Sequence, residues 1–269
     1  VTLLILLPPS EGKTAPAPSP DVFETLNLHS LSFPELTAVR KQIIDELIPF
    51  AQDPRSTDIL KLKGAAAREF PQNAQLLTAP VAPAHQVYTG VLFQAIDFPS
   101  LSDQGRRRAS SAVAIASALW GFTQPDDHIS AYRLTGGTKL PQLGSLNALW
   151  RPALEELLAP IVKDQLIVDC RSSTYVSAWK PRREMMGNVV AVRVFTEVDG
   201  KRVTVSHQAK KTRGDLTRLL LENQLPLPKS IAELRQTAEQ LPGSFAEVTE
   251  IKGQPQLDIT LNATSSLGA

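Results

Sequence analysis

This sequence predicts a mixed α/β fold in a single domain. Strand-like and helix-like hydrophobic patterns interleave from one end of the chain to the other. No low-complexity linker separates them, and 269 residues with 42% apolar side chains suffice for one large core. The expectation is one domain over 1–261, a mixed β-sheet flanked by helices, with 262–269 as a small, polar, disordered tail.

The elements follow in order. Thr2–Leu7 is an apolar run of strand length, stopped by Pro8-Pro9 and a Pro-punctuated loop to Pro20. Residues 35–51 carry helical spacing through Leu36, Val39, Ile43, Ile44, Leu47 and Ile48, and Asp53-Pro54 ends it. Ser56 or Thr57 caps a short helix over 58–62, and Gly64 hinges into a second over 65–70. A helix over 103–111 leads into a small-residue strand at 112–119, and 129–134 is a further strand before Gly136-Gly137. Residues 150–158 read as a helix with Pro152 in its first turn, and 166–170 as a buried strand. Residues 189–197 and 201–206 flank Val198-Asp199-Gly200 as a hairpin. Helices over 215–223 and 231–241 precede strands near 245–251 and 256–261.

Charge narrows the function. The chain nets only +1, which excludes a histone-like binder, yet 171–218 hold 11 Lys/Arg against 4 Asp/Glu. A local polyanion-binding face follows. Its focus is Ala209-Lys210-Lys211-Thr212-Arg213-Gly214, read as a strand-to-helix junction where free amides and helix dipole would join Lys210, Lys211 and Arg213 on a phosphate. The plain alternative is a solvated basic turn.

Other motifs are weighed the same way. Glu11-Gly12-Lys13-Thr14 is not a P-loop, since Leu7 stands where the first glycine belongs and prolines follow. Its Ser10, Glu11 and Lys13 nevertheless lie just past a strand end, where α/β sheets place ligands. Leu60–Ala67, within about 56–70, has the outline of a helix-hairpin-helix in which Gly64, Lys61 and Lys63 would grip a nucleic-acid backbone. A plain connector is the alternative. Tyr88, Gly90, Tyr132 and Arg133 supply rings and a guanidinium for bases or phosphate, or else pack at the core edge. Arg106-Arg107-Arg108 reads as a solvated helical face, whereas Trp179 with Lys180, Arg182 and Arg183 suits a nucleic-acid strand. His29, His85, His128 and His207 lack ligand spacing and Cys170 is single, so no metal or cofactor is expected. Cys170 reads as a buried, inert thiol. Its solitude and the absence of a leader or spanning segment suit a soluble cytoplasmic protein, with a monomer favoured and no membrane partner.

In their order along the chain, Leu6–Lys13, Val87–Gly90, Ser117–Gly121, Tyr132–Leu134, Leu149-Trp150 and Ala209–Gly214 resemble the YaaA-type peroxide stress proteins, over about 3–225. That resemblance implies a cytoplasmic DNA-binding protein with an unusual α/β fold, a basic cleft and a helix-hairpin-helix. It also implies a role in limiting oxidative DNA damage and free iron. The family's hairpin maps onto 60–67 and its Ala-Lys-x-x-Arg-Gly motif onto Ala209, Lys210, Arg213 and Gly214. Where the family commonly carries Ala-Ser-x-Glu-Tyr, this chain reads Arg171-Ser172-Ser173-Thr174-Tyr175, losing a carboxylate and adding a cation.

The leading expectation is non-specific DNA binding, with Lys13, Arg133, Arg182, Arg183, Lys210, Lys211 and Arg213 along one groove. Its rival is an enzyme acting on a nucleobase or nucleotide beside Tyr88, Tyr132, Ser172 and Tyr175, with Glu11 or Asp169 as general base. An iron-handling or partner-binding role is the third.

Overall fold

Five consecutive aliphatic residues, Leu3–Leu7, form the central strand β1, and every one is buried because neighbouring strands and helices cover both faces. The computed structural model describes residues 3–16, 24–198 and 201–262. Thr2, most of the Pro-rich segment, the Asp199-Gly200 turn and all but the first residue of the expected tail lie outside the described residues.

The main sheet adds β2 (Val113–Ser117), β3 (Gly121–Thr123), β4 (Leu166–Asp169), β5 (Val189–Val198), β6 (Lys201–Val203), β7 (Ser244–Ile251) and β8 (Gln254–Leu261). Its order is β7-β8-β5-β4-β1-β2-β3, and β6 pairs with β5 beside this path. The central strands run parallel, with Ile5 opposite Val113 on one side and Val168 on the other. β3, β6 and β7 are antiparallel to their neighbours. Packed around the sheet are α1 (Thr37–Gln52), α2 (Val91–Ile96), α3 (Asp103–Ala112), α4 (Leu146–Asp164), α5 (Ser206–Glu222) and α6 (Ile231–Ala238). The mixed α/β class read from the sequence holds.

The topology fixes where a ligand fits. From β1 the chain crosses to β2 on one flank, and only later returns as β4 on the other. Loops leaving β1 and β4 therefore diverge, opening a crevice at the carboxyl edge of the parallel strands.

Several local expectations are corrected. α5 begins at Ser206, so Ala209–Gly214 lies inside the helix rather than at its start, and the free N-terminal amides belong to Ser206 and its neighbours. The expected strand over 201–206 shortens to β6 for the same reason. α4 starts at Leu146, capped by Ser145 Oγ accepting from Ala148 N, so Pro152 and Pro160 are interior. Burial of Leu146, Trp150, Leu154 and Leu158 outweighs the lost amide donors. The strand expected over 129–134 is His128–Ser130, paired with Val81–Pro83. The segment expected as a helix-hairpin-helix holds only short helices. Residues 56–70 form one helical turn, Ser56–Ile59, and a six-residue helix, Gly64–Glu69, joined through Lys61 at φ 52° and Gly64 at φ 57°.

Gly214 has a packing role. A Cβ there would meet Leu92 O at 2.4 Å and Ala95 Cβ at 2.6 Å, so α2 and α5 cross backbone to backbone. Gly214→Val is expected to cost about 2–3 kcal/mol by overpacking. Thermal unfolding followed by circular dichroism should show a Tm lower by roughly 5 °C or more. An unchanged Tm would refute this packing account.

Candidate functional site

The crevice at the carboxyl edge encloses about 870 Å³. Its walls are the loop after β1, the start of α2, the Arg133–Thr135 stretch, the loop after β4, the middle of β5 and the first turns of α5. Sequence-distant segments meet because each leaves or crosses the same sheet edge. The β1 loop is tied across by Thr14 N donating to Val87 O at 2.9 Å.

Lys13 forms part of the floor. Its Nζ donates to Ser10 O at 2.9 Å and lies 4.4 Å from the Tyr132 ring centre and 5.7 Å from that of Tyr88. Lys13 forms no ion pair among the described residues. Burial, reinforced by the Arg133 cation, pulls its pKa from 10.5 down to about 7, against smaller opposing effects of Glu11 and Glu69. At neutral pH it is therefore divided between ammonium and free amine.

Below it, Tyr88 and Tyr132 share a hydrogen bond of 2.9 Å, and Tyr132 also meets Ser117 Oγ at 2.7 Å. Burial pushes the Tyr88 phenol up to about 12 and Tyr132 well above its usual value, so both stay protonated. They are a buried layer under the amine rather than crevice wall.

Three further cations converge. Arg133 Nη1 donates to Glu11 O at 2.7 Å and lies 3.4 Å from Glu69 Oε2. Arg213 Nη2 donates to Val192 O at 2.8 Å. The Nε groups of both arginines are buried without an acceptor, so what each offers the crevice is the outer part of its guanidinium. Lys210, one turn before Arg213 on α5, is exposed and forms no ion pair among the described residues.

Ser10, Glu11, Lys13, Gly90, Arg133, Ser172, Tyr175, Lys210 and Arg213 line one crevice. Other candidates fall elsewhere. Arg182 is held by Glu155 and Glu184 and Arg183 opens the turn before β5, so neither lines the groove. Lys211 points its ammonium to Asp215 at 3.0 Å, its i,i+4 neighbour. Lys61, Lys63 and Gly64 are exposed, on the segment whose helix ends at Glu69 beside Arg133. Asp169 is no free base, because Arg171 Nε and Nη2 occupy its two oxygens at 2.9 and 2.8 Å. Arg171 is in turn buried and adds no open cation to the cleft.

Sequence reasoning missed two contributors. α2 supplies a wall, but six residues are too few for a helical period to stand out. Arg193 lines the crevice while bound to Asp258 on β8, with Nε 2.6 Å from Oδ1. A lone cation on the half-exposed face of an otherwise apolar strand was the available signal.

Comparison with known proteins decides the family. The chain matches the family described as peroxide stress protein YaaA over residues 3–240. It is a member of the YaaA family. Relatives include a UPF0246 protein of Streptomyces coelicolor, 39% identical over 221 residues, covering 81% of this chain and 83% of that protein. A UPF0246 protein of Corynebacterium efficiens is 40% identical over 229 residues, with 81% and 84% covered. A more distant one from Marinomonas is 26% identical over 217 residues, with 78% and 83% covered. Membership supports a role in peroxide stress. Among the described residues, no helix is long and apolar enough to cross a membrane.

Peroxide sensing by thiol chemistry does not fit this YaaA-family chain. Cys170 is fully buried, and burial pushes its pKa up to about 12, far from the thiolate that reacts. Intact-mass analysis after mild hydrogen peroxide treatment of the native protein should show no oxidation at Cys170, with alkylation appearing only on unfolding. Sulfenic acid at that position in the folded protein would contradict this.

Proposed function

We propose that this protein binds DNA non-specifically in the cytoplasm and limits damage to it during peroxide stress, with the phosphate backbone lying along the crevice. The observation that carries the reading is convergence. Lys13, Arg133, Lys210 and Arg213 come from three regions far apart in sequence and line one concavity, in which Glu11 is the only carboxylate residue among the described ones. Phosphate oxygens accept from guanidinium and ammonium groups, and cations so placed attract nucleic acid without reading its sequence. Lys61 and Lys63, exposed on the segment adjoining Arg133, serve as a second backbone contact.

With Lys210, Arg133 and Arg213 each neutralising a phosphate, log K should fall against log salt with a slope of roughly −3. Fluorescence anisotropy with a labelled duplex should then show affinity dropping roughly 40-fold between 50 and 200 mM salt. Binding indifferent to salt would overturn the reading. A second reading, an enzyme acting on a nucleobase or nucleotide, is favoured by one observation only: the unpaired Lys13 amine on the crevice floor.

A further inference from the structure

Half-burying a lysine without a carboxylate partner is costly, and around Lys13 only backbone carbonyls and the faces of two buried tyrosines offset that cost. Its nearest polar partner is a carbonyl, Ser10 O at 2.9 Å. The phenols beneath are hydrogen-bonded to one another and hold their protons. The Arg133 guanidinium beside it opposes its protonation, and among the described residues Glu11 and Glu69 are the charged groups that favour the ammonium. A chain that merely needed a cation here would be better served by an exposed lysine such as Lys210.

We infer that Lys13 Nζ acts as a nucleophile toward an aldehyde on a phosphate-bearing sugar, with Arg133 and Arg213 holding the phosphate while the amine and the aldehyde carbon meet. The inference rests on the nucleic-acid reading above and deepens it, since a strand that has lost a base carries such an aldehyde at its C1′. The nitrogen lone pair attacks the aldehyde carbon and a C–N bond forms. The carbonyl π pair moves to oxygen, which takes up a proton while the nitrogen releases one. The hydroxyl then leaves as water, taking the nitrogen's second proton as the nitrogen lone pair forms the C=N bond of an imine, and addition of water reverses the step. No oxidant or reductant enters.

The test is reductive trapping. The full-length protein is mixed with a duplex containing one abasic deoxyribose, with the same duplex carrying a tetrahydrofuran site that lacks the aldehyde, or with free 2-deoxyribose 5-phosphate. Sodium cyanoborohydride then delivers hydride to any imine, leaving a stable amine. Anisotropy measures binding of both duplexes in parallel. We expect an adduct from the aldehyde substrates only, mapped to Lys13 by peptide mass spectrometry and lost in Lys13→Arg. Mapping on the unmodified sequence decides the matter should that variant not fold. Whichever aldehyde reacts at the lower concentration identifies the source. Near pH 7 Lys13 should form adduct ahead of exposed lysines, which are almost wholly ammonium there. Tight binding of both duplexes with no adduct, or an adduct on Lys210 or another exposed lysine, overturns the role of Lys13 and leaves DNA binding standing. Duplexes that fail to bind remove the nucleic-acid reading, while a Lys13 adduct with the free sugar phosphate would still uphold the amine.

Discussion

Replacing Asp169 with alanine is expected to destabilise the fold by about 3–5 kcal/mol, because it strands a buried guanidinium. The Asp169 and Arg171 side chains are 3% and 1% exposed and lie 2.8 Å apart. Arg171 also donates to Trp179 O at 3.1 Å and Tyr175 O at 3.3 Å, and its guanidinium lies 5.3 Å from the Trp179 ring. The pair thereby fastens the loop after β4, which carries Ser172 and Tyr175 into the crevice. Thermal or urea unfolding of Asp169→Ala should show a Tm lower by roughly 10 °C or more. The double substitution Asp169→Leu with Arg171→Met should recover most of that loss, since it removes both charges together. DNA affinity of the double variant reports whether the loop's order matters to binding. Equal stability of Asp169→Ala and the unsubstituted protein would show that the pair is not buried as described.

The second large effect concerns the crevice cations. Lys210→Glu combined with Arg133→Gln removes two of the proposed phosphate contacts and adds a repulsive charge at the rim. With each charge-assisted contact worth about 1.4 kcal/mol, duplex affinity at low salt should fall roughly 100-fold. The salt slope should shrink by about 2. Lys163→Glu provides the control, since Lys163 lies beside Leu166 at the opposite, amino edge of the strands. That variant should bind within about twofold of the parent. A double variant that binds as tightly as the control would place the DNA elsewhere on the molecule.

Legibility in the sequence tracked the range of the forces involved. The aliphatic runs of β1 and β4, the periodicity of α1 and the β5–β6 hairpin are local patterns, and they were readable. The start of α5 was not, because Thr204-Val205-Ser206 is β-prone while tertiary packing of Ala209 and Thr212 winds the chain into helix from Ser206. For the same reason Gly214 read as an anion-site glycine, although its contact is Leu92, more than a hundred residues away. Lys13, Arg133, Lys210 and Arg213 stood out in the sequence as cations, and all four line one crevice. What sequence left hidden was pairing: Arg182 taken by Glu155, Lys211 by Asp215 and Asp169 by Arg171. Each such pair turns an apparent ligand group into structure.

Differential lysine labelling tests most directly whether the crevice holds the DNA backbone. The protein is acetylated briefly with and without saturating duplex, and each lysine is quantified by mass spectrometry. Lys210 and Lys13 should be protected by DNA, while Lys163 and Lys229 at the amino edge react equally in both samples. Protection at Lys163 and Lys229, with Lys210 as reactive as in free protein, would contradict the account.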